Sequence, residues 1–217
     1  VAPLAGSGTT IHHAMEITNC TVISAIAANG MIFVGGYFHD NTAGVFSVTS
    51  GTVSALGCIF DTNSSAPILI SGGAVGSVID RCTFYGNTGP GVNVNSTPLS
   101  LTISNCIFET NSTFGVTVAA ASGGLLLNNN AFYNNASGNY STGVLRRDQV
   151  IGETSYSATA FVDAANADFR LNNAAGRALK IAGMPTTFPG LTWRNYSGMG
   201  AGGSNPNASG GGAFQPF

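Results

Sequence analysis

The chain has 217 residues, of which 44% are hydrophobic and only 7% are charged, and its formal net charge is -2. The scarcity of basic residues excludes nucleic acid as a partner, and the composition fits neither a disordered segment nor a helical bundle. The apolar runs, such as Met31 to Val34, are far shorter than the roughly 18 residues of a transmembrane helix, so no membrane-spanning segment is predicted.

Short alternating segments separated by Gly, Asn and Ser turns extend from the N-terminal region to about Leu145. This alternation is typical of β-strands rather than helices. The two earliest units are aligned on Met15, Ile17, Cys20 and Val22, then on Met31, Phe33, Gly36 and Phe38. In this alignment Met15 corresponds to Met31, and Phe38 to Phe60, so the early spacing is shorter than that of the later units.

From residue 53 onward the units repeat at one constant interval, the distance from Cys58 to Cys82. Each contains a Cys or Asn two positions before a Phe: Cys58-Ile59-Phe60, Cys82-Thr83-Phe84, Cys106-Ile107-Phe108 and Asn130-Ala131-Phe132. Two apolar columns precede these segments: Ala55, Ile79, Ile103 and Leu127, and Val53, Leu101 and Leu125, the second interrupted by Ser77. Such short strands cannot bury a face alone, so we expect about six coils stacked about 4.8 Å apart.

Every repeated Phe is followed three residues later by Asn, which gives the pairs Phe38/Asn41, Phe60/Asn63, Phe84/Asn87, Phe108/Asn111 and Phe132/Asn135. In a stack of coils the Phe rings form an internal column that dominates the buried apolar area. The Asn residues either form an amide ladder between coils or serve only as turn formers that tolerate left-handed backbone angles. Both readings retain the coil.

The four cysteines, Cys20, Cys58, Cys82 and Cys106, are predicted to share one repeat position and to form a buried ladder. A disulfide between Cys58 and Cys82, or between Cys82 and Cys106, also fits the spacing of neighbouring coils. The cysteines lack the C-x-x-C spacing and the His partners of a zinc site. We therefore predict neither a metal site nor a cofactor.

Beyond Leu145 the repeat fades, and six of the seven basic residues follow. The chain is accordingly divided into coils over 1–145, an irregular cap over 146–183, and a Gly-, Pro- and Asn-rich extension over 184–217. Within the cap, Phe161–Asp163 and Asp168–Leu171 are predicted to supply irregular strands, and Ala174 to Ile181 a short helix that closes the end of the stack.

The position after each repeated Phe is predicted to form one outward column: His39, Asp61, Tyr85, Glu109 and Tyr133. The preferred interpretation is an ordinary solvated column without catalytic residues. As an alternative, Asp61 and Glu109 would lie about 9.6 Å apart along the axis, near the upper limit for an inverting glycosidase pair, with His39 beside Asp61. A second alternative is a carbohydrate-binding strip in which Tyr85 and Tyr133 stack on sugar rings.

These repeats resemble the right-handed parallel β-helix proteins of the pectate-lyase-like superfamily, in particular their non-catalytic members. A narrower likeness is to the chlamydial polymorphic membrane proteins, autotransporter adhesins with F-x-x-N and G-G-A-[ILV] motifs, the second of which Gly72-Gly73-Ala74-Val75 matches once. Asp168 to Asn172 is similar to the ends of bacterial and phage β-helix proteins. The resemblance implies an all-β right-handed parallel β-helix.

The regular coils, the low charge and the lack of a convergent polar site favour an extracellular or cell-surface structural or adhesive protein. Self-association into a fibre or oligomer is expected because open strand edges and weak charge repulsion promote pairing between copies. A glycan or a cell surface is a further candidate partner. The alternative is a polysaccharide-binding or polysaccharide-cleaving module.

Overall fold

The computed structural model describes residues 9–21, 25–26, 30–96, 100–119, 124–141, 150–172, 174 and 178–179. This part of the chain forms three parallel β-sheets, and successive coils add successive strands to them. The predicted all-β parallel β-helix is thereby confirmed. Six coils contribute a strand to all three sheets, and a seventh contributes strands to two of them.

The strands of each coil follow one another from sheet A to sheet B to sheet C. Sheet A contains β1 Thr10–His13, β4 Met31–Val34, β7 Val53–Leu56, β10 Ser77–Asp80, β13 Leu101–Ser104, β16 Leu125–Asn128 and β19 Val150–Ile151. Sheet B contains β2 Glu16–Thr18, β5 Tyr37–His39, β8 Ile59–Asp61, β11 Thr83–Tyr85, β14 Ile107–Glu109, β17 Ala131–Tyr133 and β20 Thr154–Ser155. Sheet C contains β3 Ala25–Ile26, β6 Phe46–Gly51, β9 Ile68–Ala74, β12 Val92–Val94, β15 Phe114–Val118 and β18 Gly138–Tyr140.

The repeated Phe residues form a continuous stack inside the solenoid. Successive rings of Phe38, Phe60, Phe84, Phe108 and Phe132 lie nearly parallel, with centroids 5.1, 4.9, 4.7 and 5.1 Å apart. All five are buried. The stack follows directly from strand pairing, because equivalent residues of parallel in-register strands lie side by side.

The five repeated Asn residues form a second internal column. Their amide nitrogens donate to the side-chain oxygens of the next coil along Asn41, Asn63, Asn87, Asn111 and Asn135, over 2.8 to 2.9 Å. The four oxygens that accept these bonds also accept the backbone N–H of the preceding Asn, as Asn111 does from Asn87 at 3.3 Å. These buried amides therefore join adjacent coils through both side chain and backbone.

The left-handed backbone conformation falls on the residue before each ladder Asn rather than on the Asn itself. Asp40, Thr62, Gly86, Thr110 and Asn134 all have φ between 48° and 61°. The interpretation of the Asn residues as left-handed turn formers is therefore wrong for Asn41, Asn63, Asn87, Asn111 and Asn135. They lie one residue past the corner, where the chain has turned their amides inward.

Cys58, Cys82 and Cys106 occupy one buried column as free thiols. The backbone N–H groups of Cys58 and Cys82 each approach the sulfur of the next cysteine at 3.4 Å. Asn130 continues this column, since its Oδ1 accepts the backbone N–H of Cys106 at 3.0 Å. The column is therefore a ladder of three thiols that ends at the side-chain amide of Asn130.

Cys20 does not belong to that column, and the predicted alignment of the first coil is wrong. β1 pairs with β4 so that Thr10, and not Met15, lies beside Met31. Ile17 consequently lies beside Phe38, and the backbone N–H of Cys20 donates to Oδ1 of Asn41 at 3.0 Å. Cys20 thus occupies the Asn-ladder position and Ile17 the position of the repeated Phe, so the first coil contains neither of the residues that mark the register of the later coils.

The solenoid continues beyond the predicted boundary at residue 145. β19 and β20 pair in parallel with β16 and β17. Residues 156–171 follow β20, and from here on the name cap refers to these residues alone. They contain an antiparallel hairpin of β21 Phe161–Asp163 and β22 Asp168–Leu171, joined through a 3-10 turn at Ala164–Asn166. The two predicted strands of this region are therefore present.

The cap lies along the outer face of sheet B. Phe161, Phe169 and Leu171 of the cap belong to one buried cluster with outward-facing residues of four coils, Tyr37, Ile59, Ile107 and Ala131. Ile59, Ile107 and Ala131 are apolar, so this lateral cover removes apolar surface from water. The predicted helix Ala174 to Ile181 lies largely outside the described residues, and the extension 184–217 lies wholly outside them.

Candidate functional site

The position after each Phe forms one column on the outer face of sheet B. Strand register places His39 beside Asp61, Asp61 beside Tyr85, Tyr85 beside Glu109, and Glu109 beside Tyr133. The predicted column is therefore present as a geometric feature. Its members differ in environment because the cap crosses only part of it.

The expectation that this column is solvated is wrong at its two carboxylates. Asp61 is 7% exposed and Glu109 is 1% exposed. A signal for this burial was present in the sequence: Ile59, Ile107 and Ala131 precede the repeated Phe residues and therefore face outward. An apolar column on an outer face predicts a covering element.

Glu109 is fastened to the cap. Its Oε2 accepts hydrogen bonds from the Tyr156 hydroxyl at 3.1 Å and from the backbone N–H of Ala160 at 3.0 Å. Burial raises the pKa of Glu109, and the hydrogen bonds from the cap oppose that shift. This carboxylate binds the cap to the solenoid, so it does not face solvent as one half of a glycosidase pair must.

Asp61 lies at the edge of the covered region with one carboxylate oxygen bonded. The Tyr37 hydroxyl donates to Oδ2 at 3.0 Å, whereas Oδ1 is shielded from solvent and has no hydrogen-bond partner among the described residues. Burial raises the pKa of Asp61 to about 6, and the Tyr37 hydrogen bond opposes that shift. Oδ1 of Asp61 is therefore a buried hydrogen-bond acceptor that a bound donor would satisfy.

His39 is held between carboxylates of its own and the preceding coil. Nε2 lies 3.2 Å from Oε1 of Glu16, and Nδ1 lies 2.8 Å from Oδ2 of Asp40. The imidazole also stacks on the Tyr37 ring, with centroids 4.2 Å apart. The hydrogen bond from His39 lowers the pKa of Asp40. Glu16 and Asp40 were not predicted as partners of His39: Asp40 lies at a turn position of the F-x-x-N unit, and Glu16 belongs to the first coil, whose alignment was wrong.

Tyr85 and Tyr133 are not open stacking platforms. Tyr85 meets Phe161 and Phe169 of the cap edge to face, with centroids 6.0 and 5.6 Å apart. Tyr133 stacks against Tyr156 at 5.4 Å. Each ring thus has an aromatic neighbour from the C-terminal segment, and the predicted sugar-binding strip is interrupted.

Where the cap turns, a cleft of about 370 Å³ opens between the 3-10 turn and the N-terminal half of sheet B. We call it the acidic cleft; its lining includes Tyr37, His39, Asp40, Asp61, Tyr85 and the turn Ala164–Asn166. The volume is within the roughly 300 to 1,000 Å³ of small-molecule sites. The acidic cleft therefore brings together His39 and Asp61 of the predicted column but not Glu109.

Within the described ranges, no three His, Cys, Asp or Glu side chains are grouped so that they could hold a metal ion. No helix in that same part of the structure is long and apolar enough to span a membrane.

A family model described as a right-handed beta helix region matches residues 5–173. No curated protein and no solved structure matches the chain.

Proposed function

Because this chain belongs to the right-handed beta-helix family, we propose that it is an extracellular structural or adhesive solenoid that associates with copies of itself. The internal Phe, Asn and Cys columns support a rigid body, since each coil bonds to the next through backbone and side chains. Rigidity of this kind suits a fibre or a surface assembly.

The strand edges at the two ends of the stack are the observation that carries this proposal. Among the described strands, β1, β2 and β3 are outermost at one end of the three sheets, and β19, β20 and β18 at the other. The outward backbone groups of such strands form a template on which another chain can pair. Stacking of one copy on another would continue the same ladder.

Among the described residues, the outermost strands of sheet A contain none of the residue types that usually block pairing at an edge. β1 reads Thr-Ile-His-His and contains neither Lys nor Pro, which commonly blunt an edge. Ile11 in β1 is 57% exposed, and Ile151 in β19 is 52% exposed. An uncharged edge with exposed isoleucine favours association between molecules.

Sedimentation velocity over a range of concentrations tests this proposal. Wild-type protein should sediment faster as its concentration rises, whereas Ile11→Lys should remain monomeric because it puts a charge on the edge strand. Thr117→Lys is the matched control, since it adds the same charge to a half-buried position on an interior strand of sheet C. A wild-type monomer at every concentration, or equal assembly of wild type and Ile11→Lys, would refute the proposal.

The extracellular location is supported by composition alone: few charged residues and many uncharged polar ones. Protease added to intact cells of the source organism should digest the protein while cytoplasmic markers survive. Protection of the protein until the cells are lysed would contradict this location.

The alternative function, cleavage of a polysaccharide through His39, Asp61 and Glu109, has weaker support. Glu109 bonds to Tyr156 and to the backbone of Ala160, and it is 1% exposed. An acid or base must lie within hydrogen-bond reach of the substrate. Release of reducing sugar from a polysaccharide panel, abolished by Glu109→Gln, would restore this alternative.

A further inference from the structure

The acidic cleft contains a buried acceptor that the protein leaves without a partner. Asp61 is more than nine-tenths buried, it lines the cleft, and its Oδ1 has no hydrogen bond among the described residues. Leaving a buried polar atom unpaired is costly, and more so for a charged group. A ligand that donates a hydrogen bond here would remove that cost.

The charges around the cleft favour a ligand that is positively charged. Asp40 and Asp61 line the cleft, and Oε1 of Glu16 lies 3.2 Å from Nε2 of His39. No Lys or Arg is among the described residues that line the cleft. Even if His39 carries a proton on both nitrogens, three carboxylates outnumber one cation. An anionic ligand such as a uronate or a phosphate is therefore repelled, whereas a cationic donor is attracted.

The walls of the cleft suit a compact organic cation. Tyr37 and Tyr85 supply aromatic rings, and the negative partial charge on a ring face attracts an ammonium group. The opposite wall is the 3-10 turn Ala164–Asn166, whose short side chains leave room beside the carboxylates.

From this combination we propose that the acidic cleft binds a primary ammonium group, which donates to the Asp61 carboxylate. Asp40 supplies a second negative charge, and His39 is a positioning residue that keeps Asp40 in place. The ammonium group comes either from an amino sugar or from an aliphatic amine such as a lysine side chain. This inference does not depend on self-association.

Entry of the ligand requires a small local opening, because Oδ1 of Asp61 is shielded from solvent. The turn Ala164–Asn166 is the part of the wall that can yield, since none of its residues is buried. The strands that carry Tyr37 and Asp61 are fixed by ladder hydrogen bonds on both sides, within sheet B. Binding should therefore shift the turn and leave the strands in place.

The test is a titration followed by two-dimensional NMR at neutral pH with four probes: glucosamine, n-butylammonium, glucose and galacturonate. Glucosamine and n-butylammonium should shift backbone signals of residues 164–167, and glucose and galacturonate should bind at least roughly tenfold more weakly. Tighter binding of glucosamine than of n-butylammonium would identify an amino sugar as the source, and the reverse order an aliphatic amine.

Asp61→Asn should weaken glucosamine binding by roughly tenfold or more, because it removes the charge but keeps the shape of the side chain. Asp40→Asn should weaken it less, since Asp40 is exposed and screened by water. Asp80→Asn is the matched control: Asp80 is a carboxylate of sheet A that contacts Ser104 and Asn105, and its loss should leave binding unchanged. Spectra of each variant verify that it is folded.

Three results would overturn the proposal: no binding of either ammonium probe to the wild-type protein, equal binding of glucose or galacturonate, or full binding by a folded Asp61→Asn variant. Each is independent of the sedimentation result, because none requires association between copies.

Discussion

The side-chain amide of Asn87 lies 2.9 Å from Oδ1 of Asn111, one coil further along the solenoid. The same side chain accepts from Asn63 and donates to the backbone oxygen of Phe60, so it bonds to three neighbouring segments at once. The Asn column therefore fixes the register of the coils, while the Phe column beside it supplies apolar burial.

Replacement of Asn87 by Ala should lower the free energy of unfolding by about 3 kcal/mol or more, because it leaves several buried donors and acceptors unpaired. Urea denaturation monitored by circular dichroism measures the change. Asn93→Ala, on the outer face of sheet C, is the control and should change stability by less than about 0.5 kcal/mol. Equal losses in the two variants would show that the ladder does not stabilise the fold.

Gly91→Ala should lower the free energy of unfolding by about 2 kcal/mol, because overpacking at a tight contact forces side chains or backbone to move. A Cβ at residue 91 would lie 2.7 Å from the Phe108 ring and 2.9 Å from the backbone oxygen of Gly115. Urea denaturation of the variant measures the loss. In a double-mutant cycle, Phe108→Leu should relieve part of the clash, so additive losses would contradict this explanation.

Phe169→Ala should release the cap while the coils stay folded. Phe169 is buried between Tyr37 and Tyr85, with ring centroids 6.2 and 5.6 Å away. Its truncation should remove about 3 kcal/mol or more of packing between the cap and sheet B. Trypsin should then cleave after Arg170 faster than after Arg81 of the coils. Val162→Ala, at an exposed position of the same hairpin, should resist trypsin as well as the wild type does. If Phe169→Ala resists trypsin equally well, Phe169 is not what holds the cap on the solenoid.

Stability should fall as the pH rises from about 4 to about 6 through the contribution of Asp61. Burial raises the pKa of this carboxyl to about 6, above its ordinary value near 3.9, so the folded state binds the proton more tightly. The contribution is complete below the unfolded pKa and is lost by the folded pKa, with a size of up to about 3 kcal/mol. The difference in unfolding free energy between wild type and Asp61→Asn should change over this window. A difference that stays constant between about pH 4 and about pH 7 would contradict the burial of Asp61.

The repeat could be predicted from the sequence wherever its length is constant. The constant interval aligns Phe60, Phe84 and Phe108 directly, and parallel pairing converts that alignment into contact. In the first coil Ile17 occupies the position of the repeated Phe, and there the alignment of Cys20 is wrong, since Thr10 and not Met15 lies beside Met31. The sequence therefore predicts the register where the F-x-x-N motif is present and not where it is absent.

The cap and the acidic cleft were harder to predict because they depend on contacts between the repeat and a segment that does not repeat. Nothing in residues 156–171 specifies which coils they cover, although Ile59 and Ile107 indicate that a cover is needed. The Glu16 to His39 contact likewise joins two irregular coils. Sequence periodicity therefore predicts the core of this solenoid better than its surface.

Distances between spin labels on one outer column give the most direct measurement of the stacked coils. Ser47, Leu69, Asn93 and Thr117 pair in register along sheet C, so Cys pairs at 93/117, 69/117 and 47/117 in a Cys20→Ser background should be about 5, 10 and 14 Å apart at the backbone. Dipolar broadening of the electron paramagnetic resonance spectrum should decrease in that order. Broadening that does not depend on the number of intervening coils would contradict the stacking of equivalent residues and, with it, the β-helix itself.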